Sequence, residues 1–229
     1  MNKIKGEKLT KNYNGVIAIK DVDIEIKKGE IVVIIGPSGS GKTTLLNLLG
    51  LIDKPTEGKV YIDEKDTETL TEKEIAEIRN KKFGFIFQFF YLIPELKIIE
   101  NVFLPLWIRE KRFSPEFLKE AEKYLNVFGI LDKKNTYPSR LSGGELQRVA
   151  ICRSLICQPE IIFADEPTGS IDNKSANSFF EFMKKFNEEK ETTFVIATHN
   201  EKFLQFASKV VYLNEGKIER MEKKEMKWD

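Results

Sequence analysis

The chain carries one histidine, two cysteines and two tryptophans in 229 residues, has almost no net charge, and contains no apolar run of membrane-spanning length. Each shortage excludes a class of protein. Cys152 and Cys157 have neither the CxxC spacing of a redox pair nor the matching histidines of a zinc site, so they read as two small buried apolar residues. The apolar runs Ile31 to Ile35 and Leu45 to Ile52 fall far short of the roughly 18 residues that a bilayer span needs. Any membrane role must therefore come through a partner. Met1 to Lys8 is charged where a secretory leader needs an apolar segment, which predicts a protein that stays in the cytoplasm. With 37 basic against 36 acidic residues there is no electrostatic footprint for wrapping nucleic acid, and nucleic acid is not expected as a partner.

What is present suits a folded domain. Apolar residues make up 41% and charged residues 32%, enough for a sizeable core under a well-solvated surface. The length exceeds the usual domain of about 100–200 residues but falls short of two, so one core with an inserted subdomain fits best. Val22, Ile24 and Ile26 alternate with Asp23 and Glu25 as in a half-exposed strand, whereas Ile31 to Ile35 is a β-branched run suited to a strand covered on both faces. A glycine-rich loop and an apolar helix, Thr43 to Leu49, follow, and a turn at Pro55–Gly58 precedes a short strand, Val60 to Ile62.

Thr71 to Glu74 has the form of a capping box opening a helix to Lys81, with an apolar strand after it at Phe83 to Phe87. The middle of the chain is helical. Ser114-Pro115 starts a helix with Phe117, Leu118, Ala121, Leu125 and Phe128 on one face and Gly129 at its end. Another helix runs from Ser142 to about Cys157, and strands resume at Ile161 to Ala164 and Thr193 to Ala197, flanking a helix with Ala176, Phe179, Phe180 and Met183 on one face. Asn214-Glu215-Gly216 closes a terminal hairpin, and the charged stretch Glu219 to Asp229 reads as a solvated end.

Two segments carry chemistry without reference to any relative. Gly36-Pro37-Ser38-Gly39-Ser40-Gly41-Lys42-Thr43 matches G-x-x-x-x-G-K-[ST] between a buried strand and a helix, the setting a P-loop requires. Its backbone N–H groups and the positive end of the following helix would converge on a phosphate. Lys42 would bind the β- and γ-phosphates, Thr43 would place its hydroxyl on Mg²⁺, and Thr44 joins the nucleotide-binding set. Ile161 to Ala164 is a strand ending in Asp165 and Glu166, which looks like a Walker B motif at the strand end where α/β ligands collect. Successive strand residues point oppositely, so Asp165 is assigned to Mg²⁺ and Glu166 to the attacking water as general base.

Leu141-Ser142-Gly143-Gly144-Glu145-Leu146-Gln147 resembles the signature of ABC ATPases, LSGGQ in its commonest form, with Glu145 where Gln is usual. The resemblance covers nearly the whole chain and implies further roles. Tyr13 resembles the aromatic that stacks on adenine, although taken alone such a tyrosine is more often a packing residue. Gln88 resembles the Q-loop glutamine near the metal and the γ-phosphate, Ser170-Ile171-Asp172 the D-loop, and His199 the switch histidine. Ser142, Gly143, Gly144 and Glu145 would read the γ-phosphate held by another copy, so two ATP molecules would be sandwiched in a homodimer.

The implied fold is an α/β P-loop NTPase of the ABC type, with a mainly parallel core sheet, an N-terminal antiparallel β part and an inserted helical subdomain. The expected organisation is a single nucleotide-binding domain, with an ATP-binding core at 1–87 and 159–229 and a helical subdomain at 88–158. The implied function is the ATPase subunit of an ABC transporter driving a separate transmembrane permease from the inner face of the membrane. Gly50 to Gly58 and Ile161 to Gly169 look like the lipoprotein-release and macrolide-export group (LolD/MacB/FtsE-like), and Phe89 to Pro94 is similar to the region that docks the membrane partner. Two alternatives remain open: an FtsE-like regulator that moves no cargo, and a soluble ABC ATPase acting on nucleic acid or ribosomes.

Overall fold

The chain opens with two long antiparallel strands, β1 (Asn2–Tyr13) and β2 (Val16–Lys27), then buries β3 (Ile31–Ile35) on both faces. The computed structural model describes residues 2–169, 171 and 173–225. Helix α1 (Lys42–Leu49) leads to β4 (Glu57–Ile62) and the short β5 (Lys65–Asp66), and α2 (Glu72–Lys82) runs into β6 (Phe83–Ile86). Three helices follow, α3 (Ile98–Glu110), α4 (Pro115–Val127) and α5 (Gly143–Leu155). The chain returns through β7 (Ile161–Asp165), α6 (Asn173–Lys190), β8 (Thr193–Thr198), β9 (Lys209–Asn214) and β10 (Lys217–Lys223).

These strands form two sheets, a four-stranded antiparallel one ordered β2-β1-β4-β5 and a six-stranded one ordered β10-β9-β3-β8-β7-β6. In the larger sheet β9, β3, β8, β7 and β6 run parallel, and only β10 is antiparallel. This is the α/β architecture the sequence implies. The pleat of β3 divides the core. Ile31, Val33 and Ile35 join an apolar cluster with α3 to α6, whereas Val32 and Ile34 join a second cluster with α1 and the antiparallel sheet. Phe194 and Ile196 against Val195 and Ala197 repeat the division on β8, which is why these strands read as continuous apolar runs.

Local signals explain the boundaries. Both reciprocal bonds of the capping box join Thr71 to Glu74 at the start of α2. At the end of α4 the Gly129 N–H donates to Asn126 O at 3.0 Å and the Ile130 N–H to Leu125 O at 2.9 Å, the paired bonds of a Schellman stop. Cys152 and Cys157 are buried, as expected.

Three features were not legible. β1 hides its alternation because its register slips between Gly6 and Leu9, where Lys8 takes a left-handed φ of 48°. α3 contains Pro105, a residue that argues against a helix interior, and the apolar stretch around it carries the helix nonetheless. The charged stretch from Glu219 is not simply a solvated end: as far as Lys223 it is part of β10, an edge strand exposed along most of its length.

The joint between the helices and the large sheet is backbone against backbone. A methyl group placed on Gly84 in β6 would lie 2.5 Å from the carbonyl oxygen of Ser154 in α5. Gly84→Ala should therefore destabilise the chain by about 1–3 kcal/mol, the usual penalty of overpacking. Equilibrium urea unfolding reads this directly, and an unchanged midpoint would mean that α5 does not sit this close to β6.

Candidate functional site

The carboxyl ends of β3, β6, β7 and β8 lie along one edge of the large sheet, and the loops leaving them carry most of the candidate residues. The loop after β3 is shaped by what surrounds it. A methyl on Gly36 would stand 2.0 Å from Leu213 O, and one on Gly41, whose φ is +99°, would stand 2.4 Å from Ala18 O. Gly41 caps α1 without a side chain, so the first N–H groups of the helix have no side-chain acceptor and face the loop. Pro37, Ser38 and Gly39 form the exposed crest of the loop, while Ser40 is buried and its hydroxyl oxygen has no hydrogen-bond partner. Lys42 folds back inside, its ammonium donating to Gly36 O and Pro37 O at 2.9 Å each. A buried cation, unshared helix N–H groups and an orphan hydroxyl make a polyanion cradle.

Thr43 Oγ1 donates to Asp165 Oδ1 at 3.1 Å, bringing the loop and the end of β7 together. Burial raises the Asp165 pKa and the neighbouring Glu166 charge adds to the rise, while the Thr43 bond and Lys42 pull it back. A hydroxyl and a carboxylate at this distance suit Mg²⁺, which keeps several waters and phosphate oxygens and needs only one or two protein ligands. No group of three or more His, Cys, Asp or Glu side chains that could hold a metal occurs among the described residues, so no all-protein cage competes with that arrangement.

Glu166 diverges from Asp165 because its backbone turns left-handed, with φ at 44°. Its N–H donates to Ala197 O at 2.8 Å, and its carboxylate faces the end of β8. There Thr198 Oγ1 donates to Oε2 at 2.8 Å, the His199 N–H donates to Oε1 at 2.9 Å, and His199 Nδ1 lies 2.8 Å from the same oxygen. Gln88, just past β6, places its side-chain nitrogen beside Gly169, 3.6 Å from where a methyl would stand there. Lys42, Thr43, Asp165, Glu166, His199 and Gln88 are thus gathered on one edge. Sequence reasoning missed Thr198, for which the only signal was a polar residue beside His199 at the end of an apolar strand.

Tyr13, the last residue of β1, lies on the flank of α1. Its ring is partly exposed, and its hydroxyl donates to Asp53 Oδ2 at 2.6 Å. Burial and the Asp53 carboxylate hold the Tyr13 pKa above its ordinary value.

The signature segment is elsewhere. Ser142 caps α5 and closes a capping box with Glu145, whose carboxylate accepts from the Ser142 N–H at 2.8 Å and from its hydroxyl at 2.9 Å. Those bonds, the backbone one first, hold the Glu145 pKa low. Gly143 and Gly144 form the first turn, and no described hydrogen bond joins Ser142, Gly143, Gly144 or Glu145 to the P-loop or to Glu166. Ser170 and Asp172 of the D-loop expectation lie outside the described residues.

The model of the ABC transporter family matches residues 19–169. An ABC transporter ATP-binding protein of Methanocaldococcus jannaschii, MJ0796, is 44% identical over 96% of this chain and 97% of its own length. The lipoprotein-releasing system ATP-binding protein LolD of Aquifex aeolicus is 41% identical over 94% of this chain and 95% of its own. A solved structure of the MJ0796 cassette, a post-hydrolysis dimer bound to ADP and Pi, superposes with a TM-score of 0.91 at 44% identity, covering 96% of this chain and 98% of that one. The cradle after β3, the Thr43–Asp165 contact and the Glu166–His199 contact thus have their place in a known family: the chain belongs to the ABC transporter family as one of its ATP-binding, ATP-hydrolysing cassettes.

Proposed function

We propose that this cassette drives a separate membrane permease of the lipoprotein-release and macrolide-export type, by closing and reopening as a homodimer around two ATP molecules. The observation that carries the reading is the convergence of Lys42, the Thr43–Asp165 pair and the Glu166–His199 pair on one sheet edge. The LolD relatives support the subgroup, and the dimeric MJ0796 structure supports the assembly.

In this reading Lys42 and the N–H groups of α1 hold the phosphates, and Thr43 and Asp165, with Gln88 close by, would hold Mg²⁺. The ion, when bound, neutralises charge on the β- and γ-phosphate oxygens. Glu166 orients a water and takes its proton as the water attacks the γ-phosphorus and the bond to the β–γ bridging oxygen breaks, so that ADP leaves and phosphate forms, while Thr198 and His199 fix the direction of the carboxylate. The N-terminus of α5 in a second copy supplies donors to the γ-phosphate, a role for which Ser142, Gly143, Gly144 and Glu145 stand apart from their own chain's P-loop.

The membrane partner meets the surface beside Gln88. Phe89 and Tyr91 are 71% and 63% exposed, and Ile93 is 37% exposed. Tyr91 lines a cleft together with Phe87, Ile108, Arg79 and Arg153, and no carboxylate is among its lining residues. Arg153 donates to Phe90 O and Tyr91 O, and burial lowers its pKa to about 10 with no acid to offset it. An apolar segment bearing an acidic side chain complements such a cleft. No described helix is long and apolar enough to cross a membrane; in this reading the cassette is held at the inner face of the membrane by its permease.

Three outcomes test this reading. Glu166→Gln should lower ATP turnover on the order of 10²–10⁴-fold while keeping ATP binding, and near-wild-type turnover would remove Glu166 from the role of base. Burial raises the Asp165 pKa in the folded chain, so its ionised form costs stability above that pKa, and the cost fades as pH falls toward the unfolded value of about 4. Asp165→Asn should accordingly make the nucleotide-free chain more stable at pH 7 and nearly indifferent at acid pH, in thermal unfolding followed across pH. A variant equally destabilised at every pH would contradict that assignment. Finally, tagged Glu166→Gln protein held with Mg-ATP should retain a multispanning protein from detergent-solubilised source membranes, and Phe89→Ser with Ile93→Ser should reduce its recovery. Retention of ribosomal or DNA-associated proteins instead would overturn the transport reading and leave the ATPase chemistry intact.

A further inference from the structure

Tyr13 does not stand alone at the edge of α1. Its hydroxyl donates to Asp53 Oδ2 at 2.6 Å, and the ammonium of Lys11 lies 4.9 Å from its ring centroid. Lys11 is itself held by Asp53, donating to Oδ1 at 2.7 Å, and by Lys54 O at 2.7 Å. The Lys54 N–H donates to the same Asp53 oxygen at 2.7 Å. Burial works against the Asp53 carboxylate, yet the bonds from Lys11, Tyr13 and Lys54 outweigh it and hold its pKa below the ordinary value. Asp53 is therefore ionised and committed to this cluster at neutral pH.

The backbone of Asp53 is fixed to the P-loop helix. Ile52 N–H and Asp53 N–H both donate to Asn47 O near the end of α1, at 2.9 and 3.2 Å. Thr56, three residues on, ties the same segment to β1, its N–H donating to Thr10 O at 2.8 Å and its hydroxyl accepting from the Asn12 N–H at 3.0 Å. One carboxylate thus links the aromatic ring to the helix whose first turn forms the phosphate cradle.

We propose that Asp53 is the positioning residue of the base-binding site: it sets the height and tilt of the Tyr13 ring relative to α1, and through Lys11 covers one ring face, leaving the other for a purine. This rests on the reading that Tyr13 stacks on the nucleotide base. A ring free to swing would have to be ordered at each binding event, whereas a ring already anchored is preorganised. The Asp53 carboxylate also keeps the phenol hydroxyl bonded while the Lys11 ammonium lies over the ring, so that the ring presents a face rather than its polar edge.

The test compares a ligand with a base and one without. ATP and inorganic tripolyphosphate, each with Mg²⁺, are titrated by calorimetry into wild type, Tyr13→Ala, Tyr13→Phe and Asp53→Ala, with thermal unfolding of the nucleotide-free proteins as a folding control. Removal of a stacking aromatic should weaken ATP by roughly 5- to 100-fold, and loss of its anchor by a smaller factor of about 3- to 10-fold. Tripolyphosphate affinity should hold throughout, and KM for ATP should rise more than kcat falls in Asp53→Ala. If Tyr13→Ala binds ATP like wild type, the stacking reading fails and the proposal falls with it. If Tyr13→Ala is weakened while Tyr13→Phe and Asp53→Ala are not, stacking stands and the positioning role alone is overturned. Parallel loss of ATP and tripolyphosphate in Asp53→Ala would mean a merely structural role and equally overturn it. Should Asp53→Ala fail to fold, Tyr13→Phe, which keeps the ring and removes the anchored hydroxyl, decides the question.

Discussion

The turn between β3 and α1 is held by backbone from two sides, and the rest of the site depends on that confinement. The carbonyl of Leu213, from β9, presses on Gly36, and the carbonyl of Ala18, from β2, presses on Gly41. Gly216 bridges the two sides, its N–H donating to Ser40 O at 3.0 Å and its carbonyl accepting from the Lys20 N–H at 2.8 Å. A phosphate-binding loop built from N–H groups works only if those groups point at the ligand beforehand, since each must otherwise be ordered on binding. The terminal hairpin, remote in sequence from the P-loop, is thereby part of the P-loop's support.

Confinement has a cost, and the acidic residues bear it. Burial raises the Asp165 pKa because its charge is taken out of water while Thr43 supplies only one hydrogen bond. Glu166 is held in a sparsely populated backbone region, and its carboxylate is satisfied by Thr198 and His199. A chain selected only for stability would not place two adjacent carboxylates at a partly buried strand end. Such local conflicts between rule and structure concentrate where chemistry is done.

Sequence patterns revealed the parallel strands, the phosphate loop and the capped helices because each rests on a local rule: an apolar run, a glycine spacing, or a reciprocal Ser/Thr–Glu cap. They did not reveal β1, whose bulge at Lys8 breaks the alternation, or α3, where Pro105 argues against the helix that tertiary packing imposes. Within the site, residues on motif positions were legible and their supports were not. Thr198, Asp53 and Lys11 act through contacts between segments distant in sequence, with Thr198 separated from Glu166 by 32 positions and Asp53 from Tyr13 by 40. No local pattern encodes which side chain a fold will bring to a given carboxylate.

The position of the signature segment carries the last step. Glu145 keeps its charge at the start of α5 because the Ser142 N–H and hydroxyl both donate to it. That end of the helix already holds an anion of its own, placed where the helix dipole favours one. A Gln there would keep the cap's hydrogen-bond geometry and add no charge, so a phosphate arriving from a second copy would meet less repulsion. With Glu145, the glycine N–H groups and the dipole would have to offset a like charge, which in the proposed sandwich would make closure of two copies more dependent on ionic strength than shape complementarity alone. Under the proposed sandwich, the same carboxylate that fixes the helix start in the isolated chain would set an electrostatic threshold for bringing two chains together.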